Sequence, residues 1–182
     1  MGAPELHASV SLFCTIMFNG AFHIIFLLLM RSAARHDRSS GTIPNGISYG
    51  GIFLAIFLAI FCKSFSPFGV DFSGNYTSER LSSLISAVLI VSGAMLWTAM
   101  LFESLTGRDG LGMGDIRLTG LMGAFLGVNG ALHAIAYGVW IAFPLEFFRR
   151  KFLRRKNFHR IPLAPYLFYG TIANYGIIVL FR

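Results

Sequence analysis

Apolar residues run in long blocks along this chain, and polar residues collect between them. Six blocks stand out, at residues 9–30, 47–62, 81–102, 116–128, 131–148 and 162–181. A helix that crosses a bilayer needs about 20 predominantly apolar residues, so each block predicts a transmembrane helix. The second and fourth blocks are short. The second extends back to Pro44, because proline is tolerated in a first helical turn. The fourth runs into Gly127-Val128-Asn129-Gly130, a tight-turn composition that predicts an antiparallel pair for the fourth and fifth helices. The expected fold is all-α, a polytopic membrane protein of about six transmembrane helices. Gly50, Gly51, Gly93, Gly120, Gly123 and Gly127 lie inside the blocks, where small residues let helices approach closely.

Composition agrees with that pattern. The chain is 55% hydrophobic and 13% charged, against about a quarter charged for a soluble domain. The first block is too long for a signal-peptide core and follows no Lys or Arg, so it is expected to stay as a helix. Cys14 and Cys62 both sit in apolar blocks and suit small apolar filler. They form neither a disulfide framework nor part of a metal-ligand cluster. No metal and no cofactor is expected.

A net charge of +7 raises the question of nucleic acid, and the location of the charges answers it. Arg31, Arg35 and Arg38 fall in the first loop, 31–42. Arg108 precedes the fourth block and Arg117 lies just inside it. Residues 149–160 read RRKFLRRKNFHR, with seven Lys/Arg. Six spans bring all of these to one side and leave Lys63, Arg80 and Arg182 on the other. Basic loops stay in the cytoplasm, so loops one, three and five are expected there and both termini outside. The 149–160 run reads as a topology anchor, with anionic lipid as its other partner. Nucleic acid is not expected.

The chemistry concentrates in GLGMGDIRLTGLMGAFLG, residues 110–127. Asp115 opens the fourth block there, and a carboxylate at a bilayer edge needs a reason. Capping the helix N-terminus is the simplest one. A second carboxylate, Asp37, follows the first block and falls on the same side. Two juxtaposed carboxyl groups can share a proton, so that one activates water while the other donates. Gly112 and Gly114 are expected to let the backbone turn sharply and approach a substrate. Asp109 competes with Asp115, but Asp109-Gly110 is ordinary turn chemistry. Glu103 and Glu146, near the ends of the third and fifth blocks, are weaker candidates. His23 and His133 lie within blocks and are each expected to hydrogen-bond a neighbouring helix.

These residues resemble the prepilin peptidases, GxGD aspartyl membrane proteases that process type IV pilin precursors. Asp37 followed by Ile43-Pro44-Asn45 matches the family's first aspartate and its downstream Ile-Pro-Asn. Gly112-Met113-Gly114-Asp115 matches the GxGD motif, with Arg117 where lysine is more usual. RIPLAPYLFYG, residues 160–170, resembles the proline-containing start of the last span, through Pro162 and Pro165. The likeness runs in order along nearly the whole chain, so residues 1–182 read as a single membrane-embedded peptidase domain.

The resemblance implies an aspartic-type endopeptidase of the bacterial inner membrane. Such an enzyme cuts the short basic leader from prepilin or pseudopilin precursors at the cytoplasmic face. Asp37 and Asp115 would be the catalytic pair. Ile43, Pro44, Asn45, Gly112, Gly114, Arg117, Pro162 and Pro165 would support the motif or bind substrate. Longer members resembling this chain carry an extra cytoplasmic segment with paired cysteines and also N-methylate the mature pilin. No Cys-x-x-Cys occurs here, which weakens the expectation of methyl transfer. The chain looks like a minimal peptidase, similar to those serving Flp/Tad or type IVb pili. Two rival readings remain. One is a GxGD protease that cuts inside a membrane helix. The other is a small proton- or cation-coupled transporter, or a scaffold, using Asp37 and Asp115.

Overall fold

The computed structural model describes residues 3–61, 77–107, 111–153 and 162–180. Among the described residues the regular structure is entirely helical: α1 (Ala3–Ser40), α2 (Asn45–Phe61), α3 (Thr77–Thr106), α4 (Met113–Leu153) and α5 (Ala164–Leu180).

The first loop differs from expectation. Residues 31–40 continue α1 instead of leaving the helix. The polar run after Met30 contains neither Gly nor Pro until Gly41, so nothing in it stops helix propagation. Gly41 supplies the stop. Its φ is +66°, and its N–H donates to the Asp37 carbonyl at 2.8 Å, the left-handed cap that glycine adopts without steric cost. Asp37 therefore stands in the last turn of a helix, not in a loop.

α2 starts at Asn45, directly after Pro44. It buries Ser48, Gly51, Ala55, Leu58 and Ala59 along one stripe and turns Phe53, Phe57 and Phe61 outward. Trp97, Leu105, Trp140 and Phe143 are also largely exposed. An outer surface this apolar suits lipid, not water. Two helices, Ser78–Thr106 and Met113–Phe148, are long and apolar enough to cross a membrane.

The second of these contains a break. Gly127 has φ +69° and ψ 179°, a conformation nearly closed to residues with a Cβ. Before it, residues 113–126 pack on α3. A methyl group at Gly123 would lie 2.7 Å from the Ala87 carbonyl oxygen. After it, the chain packs on α5. Gly130 accepts a hydrogen bond from Asn174 near the far end of α5 (3.3 Å), whereas Gly138 touches Tyr166 and Leu167 near its start. The chain thus reverses at Gly127, and the antiparallel arrangement expected for the fourth and fifth blocks is built on that one residue.

The half before the break is short, 14 residues or about 21 Å, less than the roughly 30 Å apolar depth of a bilayer. It is also the most enclosed stretch among the described residues. Leu118, Thr119, Leu121, Met122, Ala124, Phe125 and Leu126 are all fully buried. Phe125 stacks on Phe26 of α1, ring centres 4.9 Å apart. Protein surrounds this half, so its length need not match the lipid.

His23 meets expectation: the Tyr175 hydroxyl lies 2.8 Å from its Nδ1, joining α1 to α5. His133 is exposed, and its ring lies against Tyr137 on its own helix, one turn further along.

Candidate active site

Four helix ends converge on one end of the bundle: the C-terminus of α1 and the N-termini of α2, α4 and α5. Three contacts tie them together. The Asp37 side chain reaches α5, the Ile43 side chain reaches α4, and Asn45 of α2 bonds Arg117 of α4. Three helix N-termini carry partial positive charge toward this end, which favours carboxylates there.

Asp37 is buried. Its Oδ2 accepts the Ala164 N–H at 3.2 Å, so it caps a helix 127 residues further along the chain. Burial pushes its carboxyl above the usual range, and the Ala164 N–H partly opposes that rise by favouring the charged form. The start of α5 explains why a single N–H is offered. Pro165 has none, and the N–H groups of Tyr166 and Leu167 both donate to the Leu163 carbonyl at 3.0 Å. Pro162 and Pro165 thus shape the turn that begins α5 and do not kink it, because Pro165 sits where no intrahelical donor is required.

Asp115 stands half-buried in the first turn of α4. Its N–H donates to the Gly112 carbonyl at 3.0 Å, and Ile116 adds a second bond there at 3.4 Å. The two motif glycines act differently from expectation. Neither has a positive φ, so no sharp left-handed turn occurs at either. What they provide is space. A methyl group at Gly112 would come within 3.3 Å of Asp115 Oδ2, and one at Gly114 within 3.2 Å of the buried Ile43 Cβ. Gly114 admits Ile43, and that contact holds the α1–α2 connection against the helix bearing Asp115.

Arg117 is occupied on two sides. Its guanidinium donates to Asn45 Oδ1 and sits over the Tyr49 ring, 5.3 Å from the centre, at cation–π range. Asn45 and Tyr49 are one helical turn apart, so this cradle had a readable spacing. Two further features had no such signal. The Ala164 N–H is a backbone group. The Tyr166 hydroxyl donates to Glu146 Oε1 at 2.6 Å, and both residues are buried. Asp109 and Arg108 lie outside the described residues, as do residues 154–160 of the basic run.

Taken chemically, this end of the fold holds a buried carboxyl whose proton affinity burial raises, and a second, half-buried carboxyl at a helix N-terminus. Among the described residues no group of three or more His, Cys, Asp or Glu forms a metal-binding cluster. A family model described as the type IV leader peptidase family matches residues 24–146. Comparison with curated proteins and with solved structures finds no match.

Proposed function

We infer that this chain, which belongs to the type IV leader peptidase family, is an aspartic-type membrane endopeptidase. It removes the short basic leader from prepilin-like precursors at the cytoplasmic face of the bacterial inner membrane. Residues 1–182 act as one membrane-embedded peptidase unit with six spans, the reversal at Gly127 separating the fourth from the fifth. The convergence of the helix ends bearing Asp37 and Asp115 is the observation that carries this reading. A transporter would want its carboxylates near mid-membrane, and these stand at helix ends.

Asp37 and Asp115 are the catalytic pair. Burial raises the proton affinity of Asp37, so Asp37 donates to the scissile carbonyl oxygen while ionised Asp115 takes a proton from the attacking water. As the tetrahedral diol collapses, Asp37 recovers its proton from the hydroxyl and Asp115 passes its own to the leaving amine as the C–N bond breaks. Arg117, Asn45, Ile43, Pro44, Gly112 and Gly114 position α2 and α4 around the pair, and Pro162 and Pro165 shape the α5 turn that Asp37 caps. The basic leader stays on the cytoplasmic side while the precursor's apolar helix stays in lipid. Flp/Tad or type IVb precursors suit a chain without a paired-cysteine segment, and the processed N-terminus leaves unmethylated.

The test is cleavage of candidate prepilins in membranes by the wild type and by Asp37→Asn and Asp115→Asn. Each variant should lose roughly a thousandfold or more in rate, and the double variant little beyond that, because groups acting as a unit are not additive. Near-normal cleavage by either single variant would sink the pair.

A further inference from the structure

Glu146 and Tyr166 form a buried polar pair that takes no part in the chemistry above. A buried carboxyl group is costly unless hydrogen-bonded, and here the Tyr166 hydroxyl supplies a bond at 2.6 Å. The pair's place in the fold suggests what it does. Tyr166 lies in the first turn of α5, two residues after Ala164, whose N–H reaches Asp37. Glu146 lies on the half of α4 that runs antiparallel to α5. Along that same interface a methyl group at Gly138 would come within 2.9 Å of the Tyr166 carbonyl oxygen. The first turn of α5 is therefore held to α4 by both backbone approach and side chain.

We propose that Glu146 and Tyr166 are positioning residues, whose hydrogen bond fixes the first turn of α5 so that the Ala164 N–H points at Asp37. The proposal rests on Asp37 belonging to the catalytic pair. Its force comes from the lack of a substitute donor. Pro165 offers no N–H, and those of Tyr166 and Leu167 are committed to Leu163. The Ala164 bond is already long at 3.2 Å, against a usual 2.9–3.0 Å or about that. A small slide of α5 breaks it, and no later N–H in the first turn of α5 is free to take over. Among the described residues, the ionisable groups near this end include Arg35, His36 and Arg38 of α1, all exposed, with Tyr49 of α2, Glu103 near the end of α3, and Asp115 and Arg117 of α4. The substitutions below alter none of them.

The experiment compares pH–rate profiles of the full chain in lipid vesicles, with a prepilin precursor, for wild type, Tyr166→Phe, Glu146→Ala and Glu146→Gln. Losing the Ala164 bond removes a stabiliser of the charged form, so the limb set by Asp37 should move to higher pH in Tyr166→Phe and Glu146→Ala, by up to about one unit. Glu146→Gln keeps an oxygen that can accept the Tyr166 hydroxyl, and its profile should stay with the wild type. An unmoved limb in Tyr166→Phe overturns the proposal, whatever the rate. So does a Glu146→Gln profile displaced as far as that of Glu146→Ala. Infrared titration of the Asp37 carboxyl, assigned by its loss in Asp37→Asn, separates this from the peptidase reading. If wild type leaves every precursor uncut, the peptidase reading fails. The infrared midpoint still decides the positioning role: higher in Tyr166→Phe than in wild type upholds it, and equal midpoints overturn it.

Discussion

Asparagine at position 37 would still accept the Ala164 N–H through its side-chain oxygen, so Asp37→Asn should keep the start of α5 in place while removing the proton that the proposed chemistry needs. Alanine removes both, and should cost about 1 kcal/mol of stability on top of activity, the usual worth of a helix cap. Thermal unfolding of the two variants checks that difference. The pH dependence follows from the same carboxyl. Its folded value is raised, chiefly by burial, while the unfolded chain ionises it at the ordinary value of about 4. Its contribution to stability is therefore full below that ordinary value and is lost as pH rises through the raised folded one. Activity that needs the protonated form should fall in the same direction, so the alkaline limb of the rate profile should lie above pH 4 or thereabouts. The unfolding midpoint of the wild type should fall relative to that of Asp37→Asn as pH rises through this range. A wild-type midpoint that rose with pH relative to Asp37→Asn would contradict the sign.

At the level of elements, glycines set how closely the helices approach. Gly170 faces the Ala134 carbonyl and the Gly138 backbone so closely that a methyl group has no room, and Gly123 faces Ala87 in the same way. The obstacles are backbone atoms, which cannot rotate aside. Gly170→Ala and Gly123→Ala should each destabilise the protein by about 1–3 kcal/mol, the usual cost of overpacking. Gly176, on α5 with nothing within 4 Å, is the control, and Gly176→Ala should leave the melting temperature near the wild-type value. Equal melting temperatures for all three variants would show that these approaches do not limit packing. The sequence indicated small residues at helix contacts but not which contacts. Gly120 and Gly123 share one helix, and only the α3 backbone beside them distinguishes the tight position from the looser one.

For the whole molecule, the charge asymmetry makes a topology prediction. Reporter fusions at Gly41, Gly110 and Lys156 should read cytoplasmic, and fusions at Gly74 and Arg182 external. A cytoplasmic Gly74 would undo the six-span arrangement and, with it, a shared face for the two carboxylates. The enclosed half of α4 fits the same picture. A helix of 14 residues is too short to cross lipid unaided, yet it carries Asp115 at its start. Burial against the neighbouring helices lets so short a helix stand within the bundle.

The apolar blocks determined the all-α class and most helix positions, because burying or lipid-solvating twenty apolar residues in sequence leaves a helix as the only way to satisfy the backbone. The likeness of Asp37, Ile43-Pro44-Asn45 and GxGD to the prepilin peptidases pointed to the candidate site residues. Sequence also held the turn near Gly127, which rests on glycine at one position. It misjudged the length of α1, because apolarity marks where lipid ends and not where a helix does. The roles of Gly112 and Gly114, the cap that Asp37 places on Ala164, and the Glu146–Tyr166 pair were decided by tertiary structure alone. Each joins atoms from separate helices or depends on the space beside one backbone atom, and a linear pattern of polar and apolar positions carries no information about either.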